Sequence, residues 1–281
     1  MRRERSLPAV AALLCLGSLA VHDAFVTTAS AQPPAVAGSQ GPVARPRPPG
    51  YLGAEHVPDH KVFLPAPPAV DSPAGVADVT IFHATRVLEG APRWQIATSD
   101  DGLRSRKVLG DFGCAAGVDF AAIESPALER VLTRAGTDLG VMITASKDHY
   151  QRPRPFVTEQ GPICVNVSPE FAASGSYPSG HSALAWMYAL LLAEVDSEHA
   201  AAIIARGRTF GESRVVCGVH YASDVEGGRT LSTALVAALH GNTEFDADMA
   251  AARAEIANAR ANAARPDAAS CPAPGALASG W

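Results

Sequence analysis

The sequence predicts a compact, multi-helix, all-α domain, and three observations support this prediction. Apolar residues recur at helical spacing over long segments, capping residues precede several of these segments, and runs typical of strands are scarce. The chain has 281 residues, of which 47% are hydrophobic, which is enough for one substantial domain with a core. The formal net charge of −5 gives no reason to expect nucleic-acid binding, so a basic cluster must be a local site.

The N-terminus has the composition of a secretory signal peptide. Three arginines within the first five residues precede an apolar run over residues 7–21, and the small residues at 29–31 offer a cleavage site before Gln32. We therefore expect residues 1–31 to be removed and the mature protein to be periplasmic or secreted. The run is short for a retained anchor, which needs about 20 residues, and no later stretch is long enough to span a membrane.

Residues 32–74 are predicted to form a proline-rich leader, because residues 32 to 75 hold eleven of the 22 prolines. Proline fixes φ and removes a backbone donor, so we expect this segment to be extended and partly disordered. A single domain is predicted over residues 75–265. A C-terminal tail, residues 266–281, follows it.

The first predicted helices begin at proline-containing caps. Asp71-Ser72-Pro73 suits one helix start and Ser125-Pro126 suits another. After the second start, an apolar face continues to Ile143. Lys147 lies four residues further along that face, where a buried ammonium group is costly unless an anion meets it. Prolines at positions 153 and 155 are expected to stop this helix and to present Arg152 and Arg154 from an extended segment.

Four further helices are predicted in the second half of the chain. Ala183 to Val195 is an apolar stretch of helical length, and Ser197 is the predicted cap of the next helix. Ser223 and Glu226 fit a capping box that opens a third helix, with His240-Gly241 at its end. Residues 244–264 have the pattern of a last, alanine-rich amphipathic helix.

Three short motifs bring together an unusual set of polar groups. They are Lys147…Arg154-Pro155, then Pro178-Ser179-Gly180-His181, then Ser213-Arg214…His220…Asp224. Together they supply three cations, the start of a helix, two histidines and one carboxylate. This is the set that a site needs if it must hold a phosphoryl group, attack it with an imidazole and protonate the group that leaves.

Phosphate binding is predicted from the cations and the helix start. Free N–H groups at a helix N-terminus point at an anion, and Ser179 and Gly180 stand where such a helix should begin. Arg154 and Arg214 can each fork onto two phosphate oxygens, and Lys147 adds a point charge. For any one of these cations alone, a solvated surface charge is the commoner outcome.

The two histidines and the carboxylate suit covalent catalysis. His220 and Asp224 are four residues apart, so on a helical turn they would share a face. The carboxylate would fix the tautomer of His220 and leave its other nitrogen free to attack phosphorus. His181 would protonate the leaving oxygen and later take a proton from water, which favours mildly acidic pH. A lone His-x3-Asp is usually only a hydrogen-bonded pair, and Pro-Ser-Gly also occurs in plain turns.

Four cysteines remain after the signal peptide: Cys114, Cys164, Cys217 and Cys271. An even count in an exported protein suggests two disulfides, with three possible pairings, and the spacing gives no zinc pattern. Cys164 lies between the first two motifs and Cys217 within the third. If the motifs converge, these two sulfurs are close, so we favour a Cys164–Cys217 pair. The alternative is that all four are buried thiols.

Taken together, the motifs resemble the signature of the PAP2 superfamily, which includes acid phosphatases, lipid phosphate phosphatases and vanadium haloperoxidases. Lys-x6-Arg-Pro, Pro-Ser-Gly-His and Ser-Arg-x5-His-x3-Asp give eleven fixed letters in order, separated by 22 and 31 residues. The sequences of residues 150–156, 175–181 and 213–220 are similar to those of the bacterial class A nonspecific acid phosphatases. The resemblance extends from roughly residue 75 to residue 262. Ser182 departs from it, since threonine is usual there.

The resemblance implies the all-α, haloperoxidase-like fold of the acid phosphatases and an exported enzyme that uses no metal or other cofactor. It implies broad specificity for small phosphomonoesters, inhibition by phosphate or vanadate, and a phosphohistidine intermediate from which phosphotransfer to other acceptors could follow. Family members are often oligomers, so a homo-oligomer is among the expectations. The implied roles are nucleophile for His220, its partner for Asp224, general acid for His181, and phosphate binding for Lys147, Arg154, Ser179, Gly180 and Arg214.

Three other functions are weighed against this one. A vanadate-dependent haloperoxidase would use the same pocket, but those enzymes are typically larger. A lipid phosphate phosphatase is disfavoured by the lack of membrane spans. An exported phosphate-binding protein that has lost turnover is disfavoured because all eleven signature letters are present.

Overall fold

The computed structural model describes residues 48–103, 105–262, 264–273 and 275–277. The predicted signal peptide, its cleavage site and the first part of the predicted leader lie outside these residues. Within them the chain forms helices, turns and loops and no strand, so the all-α prediction is confirmed. None of the helices described is both long and apolar enough to cross a bilayer.

Twelve α-helices follow one another in the described part of the chain. The short first-half helices are α1 (His60–Phe63), α2 (Pro73–Thr85), α3 (Pro92–Ser99), α4 (Ser105–Asp111) and α5 (Gly113–Ala116). The long α6 (Pro126–Tyr150) is followed by two short helices, α7 (Pro155–Thr158) and α8 (Pro169–Ala173). The C-terminal half consists of α9 (Gly180–Val195), α10 (Ala200–Val216), α11 (Ala222–Leu239) and α12 (Thr243–Ala261).

Helix α9 lies at the centre of the fold and contacts α6, α10, α11 and α12. It is apolar on most of its faces, as expected of a helix surrounded by others. Two glycines let its neighbours come close. A Cβ at Gly207 of α10 would lie 2.3 Å from the Cβ of Ala189, and one at Gly228 of α11 would lie 2.6 Å from the main-chain oxygen of Ser179. The second contact brings the start of α11 alongside the start of α9.

Helix α6 begins and ends as its prolines predict. Pro126 is its first residue, but Ser125 makes no side-chain cap; the N–H groups of Ala127 and Leu128 instead donate to Glu255 of α12 at 2.8 and 3.0 Å. The helix ends at Tyr150, and Gln151 follows with φ of 45°. The chain then turns away in an extended segment that carries the two arginines of the first motif.

The described part of the predicted leader packs onto the domain. Tyr51 and Leu64 are buried in the main core. The buried carboxylate of Asp138 in α6 accepts the N–H groups of Tyr51, Leu52 and Gly53 at 2.7, 3.1 and 3.1 Å. The part of the leader from Tyr51 to Leu64 is therefore packed on the domain, because both of these side chains lie in the core and a buried acceptor binds the backbone donors of residues 51–53.

Two predicted helix caps are wrong, whereas Ser72 caps α2 as expected. Ser197 lies inside a turn in which the His199 N–H donates to the Asp196 oxygen at 3.2 Å, so α10 begins only at Ala200. Ser223 lies inside α11, whose N-cap is Tyr221.

The capping carboxylate of α11 belongs to Asp224 rather than to Glu226. Oδ2 of Asp224 accepts the N–H of Tyr221 at 2.8 Å. The capping pair is thus displaced by two residues from its predicted position. The hydroxyl of Ser223 instead donates to Asp78 of α2.

Two disulfides join the four cysteines. Cys164 pairs with Cys217, as favoured from the sequence, and Cys114 pairs with Cys271, with Cα–Cα distances of 4.7 and 5.7 Å. The alternative of four free thiols is therefore wrong. The first bridge ties the loop between the first two motifs to the end of α10, and the second ties the predicted C-terminal tail to α5.

Candidate active site

The three motifs converge at the N-terminal end of α9. The N–H of Ser179 donates to the main-chain oxygen of Asp224 at 2.9 Å, and the N–H of Ser176 donates to that of Arg152 at 2.8 Å. The segment that precedes α9 is therefore hydrogen-bonded to the other two motifs. Residues that are separated by nearly eighty positions lie in one cluster.

His220 is buried in this cluster, and its surroundings define its tautomer. Nη1 of Arg154 lies 3.1 Å from Nε2 of His220. Because an arginine only donates, Nε2 must accept and Nδ1 carries the proton. On that side, Oδ2 of Asp224 lies 3.5 Å and Oγ of Ser176 lies 3.3 Å from Nδ1. The lone pair of Nε2 therefore faces the cationic side of the cluster.

The pKa of His220 lies well below its ordinary value. Burial is the main cause, and the charges of Arg154, Lys147 and Arg214 add to it in that order. A buried imidazole among cations is held neutral, which is the state that a nucleophilic nitrogen requires.

His220 and Asp224 meet in a different way from the one predicted. His220 lies before α11, and Asp224 lies in the first turn of that helix, so the two do not share one helical turn. Asp224 reaches back over Tyr221. Its Oδ2 also accepts the hydroxyl of Ser176 at 2.6 Å, so this serine lies between the carboxylate and the imidazole.

Arg152 and Asp78 hold Asp224 from its other side. Nη1 of Arg152 donates to Oδ1 of Asp224 at 2.6 Å, and Nη2 donates to Asp78 at 2.9 Å. The buried carboxylate of Asp224 is thereby paired with a cation and keeps its orientation.

Arg154 uses most of its donors within the protein. Nε donates to the oxygens of Phe171 and Ser174, each at 3.1 Å, and Nη1 donates to the oxygen of Val219 at 3.0 Å as well as to His220. Nη2 donates to the hydroxyl of Ser174 at 3.0 Å. Of its five N–H groups, one on Nη2 is left. Arg154 thus supplies charge and positions His220. It does not have the two free N–H groups that a two-point contact with phosphate needs.

Arg214 is the opposite case. Its side chain is 0% exposed, and Nη1 lies 2.9 Å from Oδ1 of Asp101. Nε and Nη2 have no hydrogen-bond partner among the described residues. Burial lowers the pKa of this guanidinium, although the nearby carboxylate opposes the effect. A fully buried cation with unused donors is costly, so an anion is the expected occupant of the space beside it.

Lys147 comes from the inward face of α6, as predicted. Its ammonium donates to the main-chain oxygen of Gly175. Burial, followed by the charge of Arg154, lowers the pKa of Lys147 to about 7. An anion brought next to it would restore its charge.

The start of α9 supplies the remaining donors. Ser179 is the N-cap, and its hydroxyl accepts the N–H of Ser182 at 3.4 Å. The N–H groups of Gly180 and His181 have no acceptor among the residues the structure describes. Free N–H groups at a helix start suit an anion, and the side chain of Ser179 acts here as the cap of the helix.

His181 stands at the rim of the cluster, and its side chain is 16% exposed. Its Nε2 lies 3.0 Å from the main-chain oxygen of Asp101. Because a carbonyl oxygen only accepts, Nε2 carries the proton in this contact. Burial, with the charge of Arg214 next, lowers the pKa of His181 well below its ordinary value.

Two cavities flank the cluster. One of about 400 Å³ lies beside His181 and Gly180, between α6 and α9, and one of about 590 Å³ lies beside Lys147 and Gly175. Among the described residues, no group of three or more histidine, cysteine, aspartate or glutamate side chains could hold a metal ion.

The structure thus brings together all eight residues predicted from the sequence. Sequence reasoning assigned no role to four further residues that contact this cluster: Ser176, Arg152, Asp78 and Asp101. The position of Arg152, two residues before Arg154, was the one available signal.

Several known proteins are similar in sequence to this chain. Residues 132–245 match the PAP2 superfamily. The chain is 41% identical to an acid phosphatase of Zymomonas mobilis over 210 residues, which is 74% of this chain and 80% of that protein. It is 34% identical to non-specific acid phosphatases of Providencia stuartii and Salmonella typhimurium. These matches cover 74% and 73% of this chain, and 84% and 87% of the two relatives.

Proposed function

The chain belongs to the PAP2 superfamily, with the bacterial non-specific acid phosphatases, and on that basis we propose that it is an exported acid phosphatase. It hydrolyses small phosphate monoesters with broad specificity through a phosphohistidine at His220 and needs no metal ion or other cofactor. Inorganic phosphate and vanadate are expected inhibitors.

One observation carries this proposal: the fully buried guanidinium of Arg214 has donors without a partner among the described residues, in a cluster of other cations and free helix N–H groups. The tetrahedral anion of a phosphoryl group suits such a cluster. Arg214 can bind two of its oxygens, and Lys147 and the start of α9 can bind the rest. The developing negative charge of the transition state meets donors that are already in place.

The first step follows from the tautomer of His220. The lone pair of Nε2 leaves its hydrogen bond with Arg154 and attacks phosphorus. The bond from phosphorus to the ester oxygen breaks, and His181 gives that oxygen its proton. The imidazole becomes cationic, and its Nδ1–H is stabilised by the carboxylate of Asp224. Ser176 and Arg152 keep this carboxylate oriented.

The second step releases phosphate. Neutral His181 takes a proton from water, the water oxygen attacks phosphorus, and the phosphorus–nitrogen bond breaks with its electron pair returning to Nε2. An alcohol in place of water would receive the phosphoryl group instead, so phosphotransfer can accompany hydrolysis.

Acidic pH is expected to favour turnover. His181 must be protonated for the first step. Because the pKa of His181 is lowered in the free protein, this protonation requires acidic pH. His220 must be neutral to attack, and its pKa is also lowered, first by burial and then by the charge of Arg154.

The direct test is hydrolysis of p-nitrophenyl phosphate at acidic pH with and without EDTA. We expect the same rate in both and inhibition by vanadate. Loss of activity in EDTA that zinc or magnesium restores would contradict the metal-independent mechanism.

A further inference from the structure

Two consecutive aspartates face two consecutive residues of the third motif. Asp100 and Asp101 lie in the connection between α3 and α4, opposite Ser213 and Arg214 of α10. The hydroxyl of Ser213 donates to Oδ2 of Asp100 at 2.6 Å. Arg206 donates to both oxygens of Asp100, at 2.5 and 3.2 Å. Asp100 is buried and therefore anchors the connection next to the phosphate-binding cluster.

The next residue, Asp101, places its carboxylate on Arg214. Oδ1 lies 2.9 Å from Nη1 of Arg214 and 3.6 Å from Nε2 of His181. The carboxylate thus stands between the arginine that is proposed to bind phosphate and the histidine that is proposed to protonate the leaving group. The negative charge of a bound phosphate would lie next to this carboxylate, and both anions would draw on the charge of the same guanidinium.

Asp101 differs from the other carboxylates of the cluster in its freedom to leave. Its side chain is 45% exposed, whereas those of Asp100 and Asp224 are 1% and 0% exposed. The carboxylate has no ion-pair partner besides Arg214 and His181 among the described residues. It can therefore turn into solvent when a dianion approaches, at the cost of its contacts with Arg214 and His181.

We propose that the carboxylate of Asp101 is a built-in competitor for the phosphate site. It neutralises Arg214 in the free protein and is displaced by the phosphoryl group. This inference rests on the proposed function of the same site. Asp101 therefore weakens the binding of both substrate and product phosphate, and it limits the retention of the product after hydrolysis.

If Asp101 had a purely structural role, its substitution would have the opposite effect on phosphate binding. If Asp101 served to orient Arg214, its removal would disorder the guanidinium and weaken phosphate binding. The hydrogen bond from His181 goes to the main-chain oxygen of Asp101, so a substitution retains it and removes only the longer contact of His181 with Oδ1.

The experiment measures binding of inorganic phosphate and vanadate by calorimetry in the full chain, together with inhibition constants and KM for p-nitrophenyl phosphate. The variants are Asp101→Asn and Asp101→Ala. Asp71→Asn is the matched control, because it removes the same charge from an exposed position before α2. Thermal melting checks that each variant is folded.

We expect Asp101→Asn and Asp101→Ala to bind phosphate about five- to tenfold more tightly than the unmodified chain, with KM lowered by a similar factor. Asp71→Asn should bind as the unmodified chain does. Unchanged or weaker phosphate binding in both folded Asp101 variants overturns the inference. If the unmodified chain binds neither phosphate nor vanadate and hydrolyses no ester, the proposed function fails with it.

Discussion

At the scale of single residues, Arg214 and Arg206 show how burial and pairing separate function from stability. Both are buried arginines of α10, but Arg206 makes two hydrogen bonds to Asp100, whereas Arg214 keeps donors that have no partner in the part of the chain that the structure describes. A buried charge whose donors are unused costs folding free energy, so Arg214 is explained by what it binds rather than by what it stabilises.

Arg214→Met should therefore weaken phosphate binding by about 100-fold, because charge-assisted hydrogen bonds to the anion are lost. The free energy of unfolding should stay the same or rise by about 1–2 kcal/mol. The matched variant Arg206→Met should lower the free energy of unfolding by about 3 kcal/mol, since it leaves Asp100 buried without its cation. Calorimetric binding and denaturant titration measure the two effects. A large loss of stability in Arg214→Met would contradict this assignment.

Lys147 gives a prediction for pH dependence. Its pKa is lowered to about 7, so the free protein holds this side chain charged below that pH and neutral above it. Its contribution to phosphate binding is thus fully present in acid and is lost as the pH rises through and above 7. Lys147→Met should bind phosphate about tenfold or more weakly at acidic pH, with a difference that shrinks in mild alkali.

The measurement compares phosphate affinity in the unmodified chain and in Lys147→Met across this pH range. The ionisation of phosphate is common to both, so it cancels in the ratio of affinities. Lys107→Met is the control, because Lys107 is a partly exposed lysine of α4 that pairs with Asp111. A ratio that stays constant from acid to alkali would contradict the lowered pKa.

Residue types and their spacing predicted eight site residues that the structure places in one cluster, but they did not predict the contacts that orient them. Lys147 could be predicted because it continues an apolar face of a single helix. Ser176 and Asp101 could not, since each acquires its role only through side chains that are distant in the sequence.

At the scale of secondary-structure elements, the helix ends carry the site. The end of α6, the start of α9 and the start of α11 meet, and Asp224 serves both as a cap of α11 and as the partner of His220. Long helices with apolar faces were predicted well because that pattern is local. The caps at Ser197 and Ser223 were wrong, because tertiary contacts around Asp196 and Asp224 fix the register of those helix starts.

Substitution of Asp138 tests how strongly α6 holds residues 51–53, which precede α1. Asp138→Ala removes the acceptor of three backbone N–H groups and should lower the free energy of unfolding by about 2–4 kcal/mol. Asp138→Asn keeps one carbonyl oxygen and should cost less. Denaturant titration gives both values, and p-nitrophenyl phosphate hydrolysis at low temperature should be retained. An Asp138→Ala protein of unchanged stability would show that this docking is not what holds residues 51–53.

At the scale of the whole molecule, the fold brings distant segments to one place and fixes them there. The Cys164–Cys217 disulfide and the contacts of Asp100 with Ser213 and Arg206 tie the loops around the cluster to α10. The order and spacing of the motifs indicated this convergence. The docking of residues 51–64 and the tethering of the C-terminal tail could not be derived from composition, because both depend on partners far away in the chain.

The most direct test of this account is to trap the covalent intermediate. The protein is mixed briefly with a phosphate ester, quenched in alkali to preserve a phosphorus–nitrogen bond, digested and analysed by mass spectrometry. We predict a phosphorylated peptide with the modification on His220. In His220→Ala the modification should be absent and turnover should fall by about 1000-fold or more, while phosphate still binds and the protein stays folded. Phosphorylation of another residue, or normal turnover by His220→Ala, would contradict the assignment of the nucleophile.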